Sequence, residues 1–187
     1  MRRLSVFNNV SLDGYFTDGK GDMSWAHKSD PEWMEFTIGN AKGGGVLMFG
    51  RVTYDMMASF WPTPAAMQSL PDVATSMNKA EKVVFSRTMD KAGWNNTTVI
   101  KGDIADRVRK MKNEPGAGMV IMGSGQIVAQ LAQAGLIDEY QIAVAPIVLG
   151  SGRTMFEGVT TRPALKRTEV RSFGNGTVFL RYEAARP

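Results

Sequence analysis

The chain reads as an α/β domain built on a mostly parallel sheet. Two observations predict this. Short β-branched apolar runs alternate along the sequence with segments whose apolar residues recur at helical spacing. The last part breaks that alternation, because two strand-like runs face each other across Gly174-Asn175-Gly176. Alternation implies crossover connections and parallel strands, and the hairpin adds an antiparallel end.

Strands are predicted at Leu4–Val10, Val46–Phe49, Lys82–Ser86, Thr98–Ile100, Met119–Met122 and Gln141–Leu149, with Arg167–Phe173 and Thr177–Ala184 as the hairpin. Helices are predicted at Pro31–Ala41, Arg51–Ser59, Asp72–Asn78, Asp103–Lys112 and Gln126–Ala134. The last of these has a clear stop: Gly135 suits the left-handed position and Leu136 can fold back on the preceding turn. Pro62, Pro64 and Pro71 punctuate a predicted loop after Phe60-Trp61, too short and too apolar to link domains.

At 187 residues the chain suits one domain, 1–187, large enough to bury about 70% of its unfolded surface without staples. It has no cysteine, which excludes disulfides, thiolate metal sites and a cysteine nucleophile. Its only histidine, His27, reads as an ordinary loop residue, so neither an imidazole metal cluster nor a serine-histidine relay has material, and no metal site is expected. The 13 methionines serve as flexible apolar filling. A net charge of +4 suits an anionic small-molecule substrate, while the dispersion of the basic residues argues against nucleic acid. The densest basic run, Arg107 to Lys112, is expected on a solvated face opposite Ile104, Val108 and Met111. The N-terminal apolar run is cut short by Asn8, Asn9 and Asp13, and the longest greasy segment, Ile142 to Leu149, is too short for a bilayer, so a soluble, cytoplasmic protein is expected.

Three strand ends carry the candidate chemistry. After Val46–Phe49, Gly50 permits close backbone approach, Arg51 can fork two hydrogen bonds to a phosphate, and Thr53 can cap the helix or donate to the same group. After Met119–Met122, Gly123, Ser124 and Gly125 lead into Gln126 and Ile127, again glycines before a helix. After the run ending at Phe85, Ser86 and Thr88 flank Arg87, a group suited to a 2′-phosphate or an adenine edge. Two phosphate-binding turns in one domain can grip a dinucleotide, although the Gly-x-Gly lacks the third glycine of a Rossmann fingerprint. Asp13 beside Gly14 forms a turn or makes a polar contact in the site, and Asp30 before Pro31 is a helix cap or a site carboxylate.

Taken together, Ser11-Leu12-Asp13-Gly14-Tyr15-Phe16, Phe49-Gly50-Arg51-x-Thr53-Tyr54, Ser86-Arg87, Gly123-Ser124-Gly125, Ala134-Gly135-Leu136-Ile137-Asp138-Glu139 and Pro146-x-x-Leu149-Gly150 resemble the reductase domain of the bifunctional riboflavin-biosynthesis deaminase-reductase. The likeness runs from Leu4 to Tyr182. It implies a dihydrofolate-reductase-like three-layer fold, an NADPH-dependent reductase and a homodimer. Carried over by motif, Gly50, Arg51 and Thr53 would hold cofactor phosphates, Ser86 and Arg87 the adenosine side, and Gly123, Ser124, Gly125, Gln126 and Ile127 the pyrophosphate. Ser11, Asp13 and Trp25 would line a loop over the substrate, and Asp13 or Asp30 would hold a proton-donating water. The chain departs from that family at Met122, where a glutamate is usual, which removes a polar partner expected near an aminopyrimidine. A zinc deaminase needs cysteine ligands, and this chain has none. The implied activity is reduction of a small pterin-like or aminopyrimidine-like compound. Dihydrofolate reduction proper and a non-catalytic nucleotide-binding module are the alternatives.

Overall fold

The computed structural model describes residues 1–26 and 29–185. The loop reading of His27 lies outside them. The strands are β1 (Leu4–Ser11), β2 (Tyr15–Thr17), β3 (Val46–Gly50), β4 (Lys82–Phe85), β5 (Thr97–Ile100), β6 (Met119–Met122), β7 (Glu139–Ala145), β8 (Arg153–Thr154), β9 (Leu165–Ser172) and β10 (Val178–Ala184). Eight of them form one sheet in the order β5-β4-β3-β6-β1-β7-β10-β9, while β2 and β8 pair as a separate antiparallel ribbon. From β5 to β7 every pairing is parallel, and β10 runs antiparallel between β7 and β9. Both halves of the expected architecture are present.

The helices are α1 (Pro31–Lys42), α2 (Arg51–Phe60), α3 (Pro64–Ser69), α4 (Pro71–Lys79), α5 (Ile104–Asn113) and α6 (Gly125–Gln133). Side-chain alternation along the strands sorts them into layers. Leu47, Phe49 and Val84 point to one face and pack with Tyr54, Val73, Met77 and Trp94. Val46, Met48 and Ile121 point to the other and pack with Val108 and Met111 of α5 and Val128 and Leu131 of α6. Val46 to Phe49 is therefore buried on both faces, as a central parallel strand requires. A third cluster seats α1 on the antiparallel end: Trp33 meets the Phe173 ring edge-on at 5.0 Å, and Phe36 lies 4.6 Å from Phe179.

The chain order creates a switch point. From β3 the strands step outward to β4 and β5. The chain then returns to set β6 between β3 and β1, and passes over β1 to reach β7. In such sheets ligands bind beyond the carboxyl ends of the strands where the direction reverses. Here that place is the end of β3 and β6.

Several local expectations need correction. The prolines after Trp61 begin helices rather than fill a loop: Pro64 opens α3 behind a Thr63 cap, and Pro71 opens α4. β7 ends at Ala145, where Pro146 has no N–H for the ladder, so the apolar run to Leu149 is only partly strand. That strand also lies inside the sheet, between β1 and β10, and presents no free edge. Ser86 falls outside β4. The stop of α6 is as expected: Gly135 has φ +64°, and the Leu136 N–H donates to Leu131 C=O at 3.0 Å. No helix among the described residues is long and apolar enough to cross a membrane.

Lys112 is the largest surprise in the basic run. Arg109 and Lys110 are solvated, but Lys112 turns inward, ion-pairs with Asp138 and donates to Leu136 C=O at 3.0 Å. Asp138 also accepts from the Leu4 N–H at 2.8 Å, so this pair fastens the end of α5 to the starts of β1 and β7. Removing one member of a buried pair strands the other charge, which costs ~3–5 kcal/mol. Lys112→Ala is expected to lower the urea unfolding free energy by that amount, and a loss below ~1 kcal/mol would show the pair to be dispensable.

Candidate functional site

The carboxyl ends of β3, β4 and β6 lie side by side, so their following turns share one edge of the sheet. Gly50 is opposite Phe85, which puts Arg51 and Ser86 one position beyond a paired couple. The structure thus brings the three predicted groups to one edge. Several of these residues are also tied to the protein itself by hydrogen bonds.

The turn after β6 holds two successive left-handed residues, Gly123 at φ +58° and Ser124 at φ +60°. Glycine adopts this conformation freely, but for serine it costs ~1–2 kcal/mol, so the surroundings must hold it. They do so through Ser124 itself. Its N–H donates to Thr53 Oγ1 at 3.1 Å, its hydroxyl donates to Met122 C=O at 2.9 Å, and its Oγ accepts from the Gly50 N–H at 2.9 Å. Thr53 Oγ1, as acceptor from the Ser124 N–H, and the Ser124 hydroxyl, between Gly50 and Met122, lock the two turns together. Asn8, on the adjacent β1, also reaches this turn through a Gly123 carbonyl contact at 3.1 Å.

The glycines need separate accounts. Gly50 has an ordinary φ of −79°, and the space where a side chain would start is bounded by Ile127 and Ser124 at 3.4–3.8 Å. A Cβ at that position would make ordinary contacts with those two side chains. A Cβ on Gly125 would lie 2.6 Å from Phe16 Cε1 and 2.9 Å from Thr154 O. This glycine is small because the β2–β8 ribbon rests on the start of α6. Ile127 turns its side chain into the core, whereas Gln126 is exposed.

The turns also present backbone groups. α1, α3 and α5 are capped by the side chains of Asp30, Thr63 and Asp103, but α2 and α6 have no side-chain cap. α4 is also uncapped, yet it opens with Pro71, which has no N–H to satisfy. The first N–H groups of α2 and α6 have no intrahelical acceptor and sit where the helix dipoles are positive. Two such ends at adjacent strand termini fit a phosphate-bearing cofactor. Arg51 stands beside them, paired with Asp55 at 3.2 Å across half-exposed side chains. Such a surface pair holds only ~0.3–0.5 kcal/mol, so exchanging Asp55 for a phosphate costs little. Arg87 is exposed, and Ser86 Oγ accepts from the N–H groups of Thr88 and Met89 at 3.3 and 3.0 Å, shaping the turn that presents it.

The substrate-side predictions fall at the same edge, around the ends of β1 and β7. Asp13 accepts from the N–H of Leu149 at 3.1 Å and of Gly150 at 2.7 Å. With Leu12 N–H on Ile147 C=O at 2.8 Å and the β2–β8 pairing, it joins the loop after β1 to the loop after β7. A hydrogen bond from Ser11, then the two backbone N–H groups, hold its carboxyl down at about 2 against an ordinary 3.8. Ser11 is buried and its Oγ also accepts from the Tyr15 N–H at 3.0 Å. Asp30 caps α1, with Oδ1 accepting from Trp33 N–H at 2.8 Å, while Oδ2 faces the Gly174 turn of the hairpin. Trp25 lies in a single 3-10 turn, its indole N–H on Asp22 C=O at 3.2 Å.

Sequence reasoning missed Asn8, Phe16 and Met155. For Asn8 a signal existed, since an amide interrupts the apolar row of β1.

The chain is an α/β/α sandwich with two uncapped helix starts at its switch point, and comparison with known proteins gives its family. Residues 2–179 match the model of the RibD C-terminal domain, so the chain belongs to that family. It is 28% identical over 181 residues to the uncharacterized protein YyaP of Bacillus subtilis, covering 97% of this chain and 94% of that one. A putative riboflavin biosynthesis protein from Shewanella sp. PV-4 superposes with a TM-score of 0.72 at 24% identity, covering 98% and 99% of the two chains. The diaminohydroxyphosphoribosylaminopyrimidine deaminase/5-amino-6-(5-phosphoribosylamino)uracil reductase of Thermotoga maritima superposes with a TM-score of 0.68 at 14% identity, covering 98% of this chain and 57% of that longer one. The fold is the dihydrofolate-reductase-like one of RibD-type domains.

Because the Asp13 carboxyl is held below its ordinary range, the clasp is complete above about pH 4 and is lost as pH falls through about 2. The amide proton shifts of Leu149 and Gly150 are expected to titrate with a midpoint near 2. A midpoint at the ordinary carboxylate value would contradict the clasp.

Proposed function

We propose that this protein is an NADPH-dependent reductase of a small pterin-like or aminopyrimidine-like compound, similar to the uracil reductase step of riboflavin biosynthesis. The observation that carries the reading is the pair of uncapped helix N-termini, α2 and α6, at adjacent strand ends. Membership of the RibD C-terminal domain family supports it. When bound, NADPH would supply the hydride, so the chain needs neither a nucleophile nor a metal and its poverty in histidine and cysteine is no handicap.

The protein's part is position and electrostatics. The N–H groups at the start of α6 receive the pyrophosphate, and those of α2 with Arg51 receive a further phosphate. Arg87, on its Ser86-braced turn, lies toward the adenosine side. The substrate ring lies under the clasped loops that carry Ser11, Asp13 and Trp25. Asp13, ionised and held by backbone N–H groups, fixes that cover. To Asp30, whose Oδ2 faces the site edge of the hairpin, we assign the water that delivers the proton. Met122 offers no charge to an aminopyrimidine, which favours a substrate less polar than the riboflavin intermediate. Absence of cysteine is compatible with a reducing cytoplasm.

An NADPH-oxidation screen against pterins, aminopyrimidines, flavin precursors and quinones tests the function. Turnover of a pterin or aminopyrimidine supports it, steady turnover of dihydrofolate makes the protein a dihydrofolate reductase proper, and saturable NADPH binding without oxidation of any compound contradicts catalysis. Charge-assisted contacts to a 2′-phosphate contribute ~1.5–3 kcal/mol. Arg51→Ala is accordingly expected to weaken NADPH about tenfold or more while NADH changes little. Equal losses for the two cofactors would place Arg51 away from the 2′-phosphate.

We also infer a homodimer, supported by the resemblance and by the outermost strand β9, where Leu165 and Val170 are 41% and 49% exposed. Sedimentation at micromolar concentration is expected to show twice the 20.5 kDa chain mass, and the single-chain mass would refute it.

A further inference from the structure

We propose that Asn8 is a positioning residue for the cofactor turn, an inference that rests on the cofactor reading above. Its place in β1 is one the core would give to an apolar side chain. Leu4, Val6 and Val10 lie on the same side of the strand, all buried in the layer beneath α5 and α6, and Asn8 sits between them at 4% exposure. An amide buried there is unfavourable unless its hydrogen bonds are met.

Its donor group is met on the turn and at Met155. Phe7 pairs with Met122 across β1 and β6, which brings Asn8 alongside Gly123. Its Nδ2 donates to Gly123 C=O at 3.1 Å and lies 2.8 Å from Met155 Sδ. Both neighbours are acceptors, so the amide must turn its nitrogen to them. The other edge of the same peptide is held as well, since the Ser124 N–H donates to Thr53 Oγ1. The Gly123–Ser124 peptide plane is thus clamped at its carbonyl by Asn8 and at its N–H by Thr53. It lies between two left-handed residues, so it is the plane with most to gain by turning over. Turning it would release the Ser124 N–H from Thr53 and swing the Gly123 carbonyl to that side, at the start of α2, where an oxygen would oppose a phosphate. By holding that carbonyl Asn8 keeps the turn suited to the cofactor, and through Met155 the same amide touches the chain just beyond β8, which rests on α6.

Asn8→Leu preserves the branched shape and removes the amide, donor and acceptor together. The expected result is an apo thermal midpoint within about 5 °C of the parent with NADPH affinity about tenfold weaker by fluorescence titration, the size of one lost hydrogen bond. Unchanged NADPH affinity, with or without a lowered midpoint, would make Asn8 a merely structural residue and overturn the proposal. If Asn8→Leu does not fold, Thr53→Val releases the other edge of the same peptide: a similar loss of affinity supports the clamp, and none overturns it. If the parent protein itself does not bind NADPH, the cofactor reading fails. The clamp is then decided by amide exchange at Gly125 and Gln126 in the free protein, where about tenfold acceleration in Asn8→Leu supports it and unchanged rates overturn it.

Discussion

The hydroxyl of Ser124 joins the ends of two parallel strands, and the geometry of the site edge depends on it. It accepts from Gly50 on one side and donates to Met122 on the other, while its own N–H rests on Thr53. A hydroxyl has one hydrogen to donate, and here that hydrogen is committed to the protein. The turn can therefore offer a ligand mainly backbone N–H groups. Such groups sit on rigid helix ends and do not reorganise when charge arrives, a property suited to holding a phosphate in fixed register.

This arrangement is costly for the protein by itself. A side-chain cap contributes ~0.5–2 kcal/mol to a helix. The chain uses such caps on α1, α3 and α5 and omits them on α2 and α6, the two helices that begin at the switch point. It also accepts a left-handed serine in the same turn. At this one place two uncapped helix starts and a left-handed serine come together, the pattern expected where function rather than stability selects the residues. At other places Gly135 closes α6 and the Lys112–Asp138 pair secures the opposite edge of the sheet.

Much of the fold was legible because burial imposes periodicity. Val46 to Phe49 could only be a strand covered on both faces, and Gly174-Asn175-Gly176 could only turn a chain back. Proline was misread after Trp61, since a residue that breaks a helix interior also begins one, and only the Thr63 cap decides between them. Lys112 was misplaced because helical spacing ranks faces, while its buried carboxylate partner, Asp138, comes from a distant part of the chain. At the site, residue type located the turns but not the direction of each hydrogen bond. Thr53 and Ser124 carry hydroxyls suited to a ligand and to each other, and only their proximity in space shows that they are used between the turns. Gly125 similarly reads as room for a ligand's close approach, whereas the space a Cβ would take there is occupied by the ring of Phe16.

In the proposed function, backbone N–H groups at the starts of α2 and α6 receive the cofactor's phosphates. Backbone amide NMR during NADPH titration measures this directly. The largest shift changes should fall at Arg51 and Val52 and at Gly125 and Gln126, saturating together, while amides at the opposite edge, such as Leu4 and Glu139, stay still. Saturable binding that leaves Gly125 and Gln126 unmoved would contradict the account.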